Sequence, residues 1–242
     1  MKKKIAVIGS GIAGLTIANL FKGNSNFEVM VYEKEKILSL VEGYGIQLSP
    51  NSTSILNKIG LSNIDNKDFF NPSKLNFYSN DNQKICDLDL SRFNSEKFKY
   101  TTLKRSVLIE FLKNKLFSNN LKFGKEIKKV SKIKDKLLIN FKDNTNDLVD
   151  FIVVSDGVFS NTKSVIENKN IQPIYNGSIA IRTILKDLPN SNYDKNNISL
   201  VMLKNAHIVI YPINKKGELN VVCIVRQKLS NNIDLKALIK KE

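Results

Sequence analysis

The sequence predicts an α/β unit that binds a dinucleotide, followed by a mainly antiparallel sheet; the class is α/β in its first part and α+β as a whole. Three observations carry this. An apolar run, Ile5-Ala6-Val7, leads into Gly9-Ser10-Gly11-Ile12-Ala13-Gly14 and then into a helix-forming stretch over 15–22. A second apolar run, Val29-Met30-Val31-Tyr32, ends in Glu33, 19 residues beyond Gly14. Later in the chain, four strand-like runs at 178–185, 198–203, 207–213 and 218–225 are separated by polar turns, the pattern of an antiparallel sheet.

The glycines follow a strand and open a helix, the context in which G-x-G-x-x-G binds a pyrophosphate. Gly9 permits the tight turn. Gly11 leaves no side chain where phosphate approaches the backbone, and Gly14 lets helix and strand sit close. Unpaired N–H groups at the helix start, around Gly11, Ile12, Ala13 and Gly14, and the positive end of the helix dipole then meet the phosphates. Glu33, with Lys34 beside it, stands where a carboxylate binds an adenosine ribose. An acid there favours an unphosphorylated ribose, so FAD or NAD rather than NADP; the motif does not choose between the two.

The 242 residues can hold one large domain or two small ones, and 42% hydrophobic content supports a core. Cys86 and Cys223 match no metal or redox spacing, which predicts free thiols in a reducing cytoplasm and no metal site. The first residues run directly into a strand, and the apolar stretch behind them is short and broken by glycines. No signal peptide and no membrane span is expected. The net charge of +15 comes from scattered lysines without interleaved aromatics, so a nucleic-acid partner is not expected. A positive surface still attracts anionic ligands.

The opening β-α-β unit takes about residues 3–33. The segment Gly43-Tyr44-Gly45-Ile46-Gln47-Leu48-Ser49-Pro50-Asn51 leads into a helix over 52–59 that Gly60 ends. Strands over 74–79 and 84–90, joined at Asn80-Asp81-Asn82, form a hairpin. Thr101-Thr102-Leu103 is a short strand before Arg105, and Ser106 caps a helix over 107–117. Strands over 127–133, 136–141 and 148–154 follow, the last running into Ser155-Asp156-Gly157, and a final helix begins near Ile233. The expected domains are a nucleotide-binding domain over 1–165, interrupted by an excursion near 73–97, and part of a sheet domain over 166–242.

Taken alone, Arg105 reads as a surface cation at a helix start and Asp156-Gly157 as a turn. A second β-turn-helix aimed at the same ligand would instead offer the Asp156 carboxylate to sugar hydroxyls. His207, the one histidine, alternates with Val209 and Tyr211 along a strand, so His207 and Tyr211 share a face. Before any family is considered, a satisfied core histidine beside a packing tyrosine is the plainer reading.

Together these motifs resemble the class A FAD-dependent monooxygenases, the p-hydroxybenzoate-hydroxylase-like group, and within it the salicylate and 3-hydroxybenzoate hydroxylase branch. Gly9 to Gly14 with Glu33 matches the ADP-binding motif, and residues 43–51 are close to G-A-G-I-Q-L-x-P-N. Lys104-Arg105-Ser106-Val107-Leu108 matches the R-x-x-L helix start. Ser155-Asp156-Gly157-Val158-Phe159-Ser160 matches A-D-G-x-x-S, and His207 to Pro212 resembles H-x-x-x-Y-P of the substrate sheet. The resemblance spans nearly the whole chain. It implies a Rossmann-like FAD-binding domain and an antiparallel substrate domain.

The implied activity is hydroxylation of a small phenolic aromatic with O2 and NADH or NADPH, through a flavin hydroperoxide. Gly45, Ile46, Arg105, Asp156 and Gly157 join Glu33 and the glycine turn in holding FAD. His207 would serve as base or hydrogen-bond partner, with Tyr211 orienting the ring. Three departures stand out. Ser155 replaces an alanine, and Lys163 stands where an arginine is usual and so lacks its bidentate fork. No Gly-Asp pair occurs, although the group carries a later G-D-A-A-H motif. The sequence is therefore expected to be the N-terminal part of a longer hydroxylase, impaired alone, or a shortened relative that has lost the activity. Rival readings are an FAD or NAD oxidoreductase without oxygen insertion, a non-catalytic FAD-binding module, and a nucleic-acid binder driven by charge.

Overall fold

A computed structural model describes residues 1–38, 40, 44–186 and 193–228. In chain order the elements are β1 Lys3–Ile8, α1 Ile12–Lys22, β2 Phe27–Tyr32, β3 Gly45–Leu48, α2 Pro50–Asn57, β4 Phe69–Phe70, β5 Lys74–Tyr78, β6 Lys84–Asp89, β7 Thr101–Lys104 and α3 Arg105–Lys115. They continue with β8 Leu121–Lys122, β9 Ile127–Ile133, β10 Lys136–Phe141, β11 Asn146–Val149, β12 Phe151–Val154, α4 Asn161–Glu167, β13 Ser178–Leu185, β14 Ile198–Met202, β15 Ala206–Pro212 and β16 Leu219–Arg226. Gly43 and the helix expected near Ile233 lie outside the described residues.

The chain folds as two units. The first holds residues 1–43, 55–63 and 106–173; the second holds 44–54, 64–105 and 174–242. The boundary expected at 165 thus falls inside the first unit, and the excursion takes in more chain than the hairpin alone.

In the first unit a parallel sheet runs in the order β12-β1-β2-β8. Ile5, Ala6, Val7 and Ile8 are all buried, as befits a central parallel strand covered on both faces. An antiparallel sheet, β11-β10-β9, packs its Ile139, Phe141 and Val149 with Ala6, Ile8 and Tyr32 in one core. Tyr32 and Phe141 stack at 4.8 Å between centroids. The Tyr32 hydroxyl donates to Asp147, which also pairs with the Lys4 ammonium at 2.6 Å. Two sequence-distant segments are thereby tied to the first strand.

The single strand expected over 148–154 is two, in different sheets. Asp150 breaks it: its N–H donates to the Lys4 carbonyl and its carboxylate accepts the Lys4 N–H at 2.7 Å. Helix α3 begins at Arg105, so Ser106 lies inside the first turn rather than at its cap. Helix α2 begins at Pro50, where the fixed φ and missing donor suit a first helical position. Helix α4 has Ser160 as its N-cap, its hydroxyl accepting the Lys163 N–H at 3.1 Å.

The second unit has a six-stranded sheet in the order β13-β16-β15-β14-β5-β6. Neighbours pair antiparallel except β14 with β5, which run parallel and join segments over a hundred residues apart. A small antiparallel sheet, β3-β7-β4, completes the unit.

Burial raises the Asp147 pKa, but Lys4 and the Tyr32 hydroxyl outweigh it and leave the carboxyl below its ordinary value. A depressed folded pKa stabilises above the unfolded value and loses that contribution as pH falls through the folded one. Asp147→Ala should therefore cost about 1–3 kcal/mol near neutral pH and less near pH 3. Urea denaturation of both proteins at the two pH values checks this.

Candidate functional site

The glycine turn fits a pyrophosphate, and each glycine has a separate cause. Gly9 has φ +99°, and a Cβ there would sit 2.6 Å from the Ser155 carbonyl oxygen. At Gly14 a Cβ would lie 2.0 Å from the Gly9 carbonyl oxygen. Gly11 differs: a Cβ would meet nothing within 4 Å, and its φ of −72° suits any residue. Neither backbone nor packing requires glycine at 11. The open space above it does, once a ligand lies there. Gly11 is also the N-cap of α1 and brings no capping side chain, so the first N–H groups, at Ile12 and Ala13, keep their donors for an anion.

Glu33 ends β2 beside this turn. One carboxylate oxygen accepts from the Ser10 N–H at 2.8 Å and the Ser10 hydroxyl at 2.7 Å; the other accepts from the Glu35 N–H at 3.0 Å. Burial pushes its pKa up, yet these bonds and Lys34 prevail and keep it below the usual value. It is held as an anion in one orientation. Lys34 itself is exposed and lies 3.9 Å from Glu35.

Asp156 reaches the same turn from the end of β12. The N–H of Thr162 donates to one of its oxygens at 3.3 Å, while Oδ1 is buried without a partner. A buried carboxylate oxygen lacking a donor is costly, and a sugar hydroxyl would satisfy it. Asp156, Gly157, Ser160 and Lys163 line an open hollow of about 330 Å³. Ser155 donates its hydroxyl to the Ile8 carbonyl at 2.7 Å, which explains how a serine is accommodated there.

The remaining expected cofactor residues belong to the second unit. Gly45 and Ile46 open β3, and the Gly45 N–H donates to Asn220 Oδ1 at 2.6 Å. Arg105 is half-buried; its backbone N–H donates to Tyr44, and its guanidinium has no partner among the described residues. His207 and Tyr211 share a sheet face, as the alternation predicts, with Cα atoms about 13 Å apart. Their surroundings differ. His207 is half-buried, has no side-chain partner among the described residues, and lines a hollow of about 540 Å³ with Phe77, Leu200, Met202 and Ile224. Tyr211 is 3% exposed, packed with Ile198, Ile213 and Val209.

Sequence reasoning missed Ser10 and Asn220 as the residues that hold Glu33 and Gly45, and the tie from the Ser155 hydroxyl to the Ile8 carbonyl. Ser10 could have been found, since the x after the first glycine faces the acid ending the second strand. Asn220 could not, because its partner is 175 residues away. Among the described residues there is no cluster of metal-binding side chains and no helix long and apolar enough to cross a membrane.

Residues 7–41 match the NAD(P)-binding Rossmann-like domain family. The chain is 27% identical over 191 residues to 6-hydroxynicotinate 3-monooxygenase of Bordetella bronchiseptica, covering 76% of this chain and 48% of that protein. It is 24% identical over 229 residues to 3-amino-4-hydroxybenzoate 2-monooxygenase PtnB3 of Streptomyces platensis, covering 93% and 57%. The crystal structure of Klebsiella pneumoniae HpxO complexed with FAD and uric acid superposes with a TM-score of 0.82 at 18% identity, covering 98% of this chain and 59% of that one. The chain thus spans about half the length of the curated relatives it matches.

The three glycines separate by experiment. Gly11→Ala should leave folding stability within about 0.5 kcal/mol of wild type and weaken dinucleotide binding roughly tenfold or more. Gly14→Ala should destabilise the fold itself by more than 1 kcal/mol. Thermal melts and dinucleotide titrations of both variants check the contrast.

Proposed function

We propose that the chain belongs with the class A FAD-dependent aromatic monooxygenases, to which it is similar, and that the protein carrying it hydroxylates a small phenolic aromatic. The observation that carries the cofactor assignment is the open space over Gly11 at an uncapped helix start, beside an anionic Glu33 and an unpartnered Asp156 Oδ1. These residues fit the pyrophosphate and sugar hydroxyls of FAD. In the second unit, taken by itself, the Arg105 guanidinium has no partner among the described residues, while the Gly45 N–H is committed to Asn220. Bound at the glycine turn, FAD would supply the activated oxygen, drawing on O2 and on NADH or NADPH as reductant.

The chain's own residues have to bind and orient the ring. The hollow beside His207 is lined in part by Phe77, Leu200, Met202 and Ile224, apolar side chains that suit an aromatic ring. An imidazole nitrogen of His207, free of other partners, takes the proton of the ring hydroxyl. That makes the ring carbon a better nucleophile. Tyr211, buried on the same face, fixes the far end of the site. Two free thiols accord with a reducing, cytoplasmic setting.

In the complete enzyme, His207→Ala should lower kcat on the order of a hundredfold. Unchanged rates would remove His207 from the reaction. Incorporation of isotopically labelled oxygen into a hydroxybenzoate product separates hydroxylation from oxidoreduction without oxygen insertion.

A further inference from the structure

The hairpin of β5 and β6 has an apolar face that the reading above does not use. The register pairs Leu75 with Leu88 and Phe77 with Cys86, so these side chains share one face. The charged residues of the hairpin, Lys74, Lys84, Asp87 and Asp89, take the other, where Asp87 pairs with Lys84 at 2.7 Å and with Lys74 at 3.6 Å. Strand β14 carries no charge and extends the apolar face: Ile198 lies beside Leu75, Leu200 beside Phe77, and Met202 follows on the same side. A strand pair that alternates so cleanly normally has its apolar face covered. Here Leu88 is 41% exposed, Met202 is 44% exposed, and Cys86 is exposed as well. Phe77, Leu200 and Met202 already line the hollow beside His207. The open strip therefore begins in that hollow and crosses β14 and β5 to β6, the edge of the sheet. Three strand spacings, about 14 Å, take it from the strand of His207 to that of Cys86.

We propose that this strip is the outer part of the substrate site, and that the phenolic substrate carries an apolar substituent which lies across Phe77, Cys86 and Leu88. The inference rests on the aromatic-substrate reading above and adds the size and character of the molecule taken. Continuity argues for this occupant, since Phe77 belongs both to the hollow and to the strip. A ring seated beside His207 has apolar surface running outward from it. The chemistry of the strip argues for the same occupant. Leu75, Phe77, Leu88 and Met202 offer no hydrogen bond, and the Cys86 thiol offers only a weak one. A carboxylate, amine or hydroxyl on the substituent would lose its water there without a replacement partner. An alkyl or aryl group would gain by covering Leu88 and Met202. Because β6 is an edge strand, the strip opens to solvent at its far end and sets no sharp limit on length.

The test uses methyl, butyl and hexyl 4-hydroxybenzoate as calorimetric probes of the protein in the presence of FAD. Alkylation of Cys86 by iodoacetamide is followed beside it, with peptide mass mapping to separate Cys86 from Cys223. Wild type should bind the hexyl ester about thirtyfold more tightly than the methyl ester, about twofold for each added methylene. Bound hexyl ester should slow Cys86 alkylation about tenfold by covering the thiol, and bound methyl ester should leave the rate unchanged. Leu88→Lys sets a charge in the strip and should cut the gain from chain length to about threefold or less. Circular dichroism reports folding, and Cys86→Asp carries the same expectation should Leu88→Lys unfold. Equal binding of all three esters, Cys86 alkylation that hexyl ester does not slow, or a folded charged variant that keeps the whole gain overturns the inference alone. Wild type that binds none of the esters overturns the aromatic-substrate reading and this inference with it.

Discussion

In the first unit, three stretches of backbone meet where two of them have no room for a side chain, and the candidate cofactor site is built on that meeting. The end of β1, the first turn of α1 and the end of β12 converge at Gly9, Gly14 and Ser155. A Cβ on Gly14 would lie 2.0 Å from one neighbour and one on Gly9 would lie 2.6 Å from another. Contacts that short force the backbone to move rather than a side chain to rotate. The closeness puts the uncapped start of α1, the Glu33 carboxylate and the Asp156 carboxylate around one small region, which no single segment could do. Ser155 strengthens the junction by donating to the last carbonyl of β1. Its hydroxyl does here what an alanine could not.

The parts of this arrangement that follow from local chemistry were legible in the sequence. Each glycine has a physical cause that can be stated before any coordinates exist, and Glu33 ends its strand where the β-α-β geometry puts it. The alternation of His207, Val209 and Tyr211 announced a shared face, and the register bears it out. What escaped depends on distant partners. Asp150 interrupts a run that looks like one strand because Lys4 bonds to it from the other end of the first unit's sequence. The parallel pairing of β14 with β5 interrupts an otherwise antiparallel sheet, and turn residues carry no sign of it. Ser106 looked like a cap, but the helix starts one residue earlier, at Arg105.

Periodicity also says which face a residue occupies and nothing about what covers it. His207 and Tyr211 lie on one face of one strand, four residues apart. One borders an open hollow without a partner; the other is sealed among Ile198, Ile213 and Val209. The difference comes from β3, which is pinned at the Tyr211 end by Asn220. A core histidine satisfied by a neighbour, the plainer expectation from sequence, is not what the described residues contain. Ion pairs such as Lys104 with Glu218 and Lys125 with Asp143 occur in both units.

The central claim is that this chain is shaped around FAD, and the most direct measurement is the visible spectrum of the purified 242-residue protein after incubation with FAD and removal of free cofactor. Retained flavin absorbance with a shifted band, lost in Gly11→Ala at unchanged stability, is the predicted result. A protein that stays colourless while Gly11→Ala behaves identically would contradict the account.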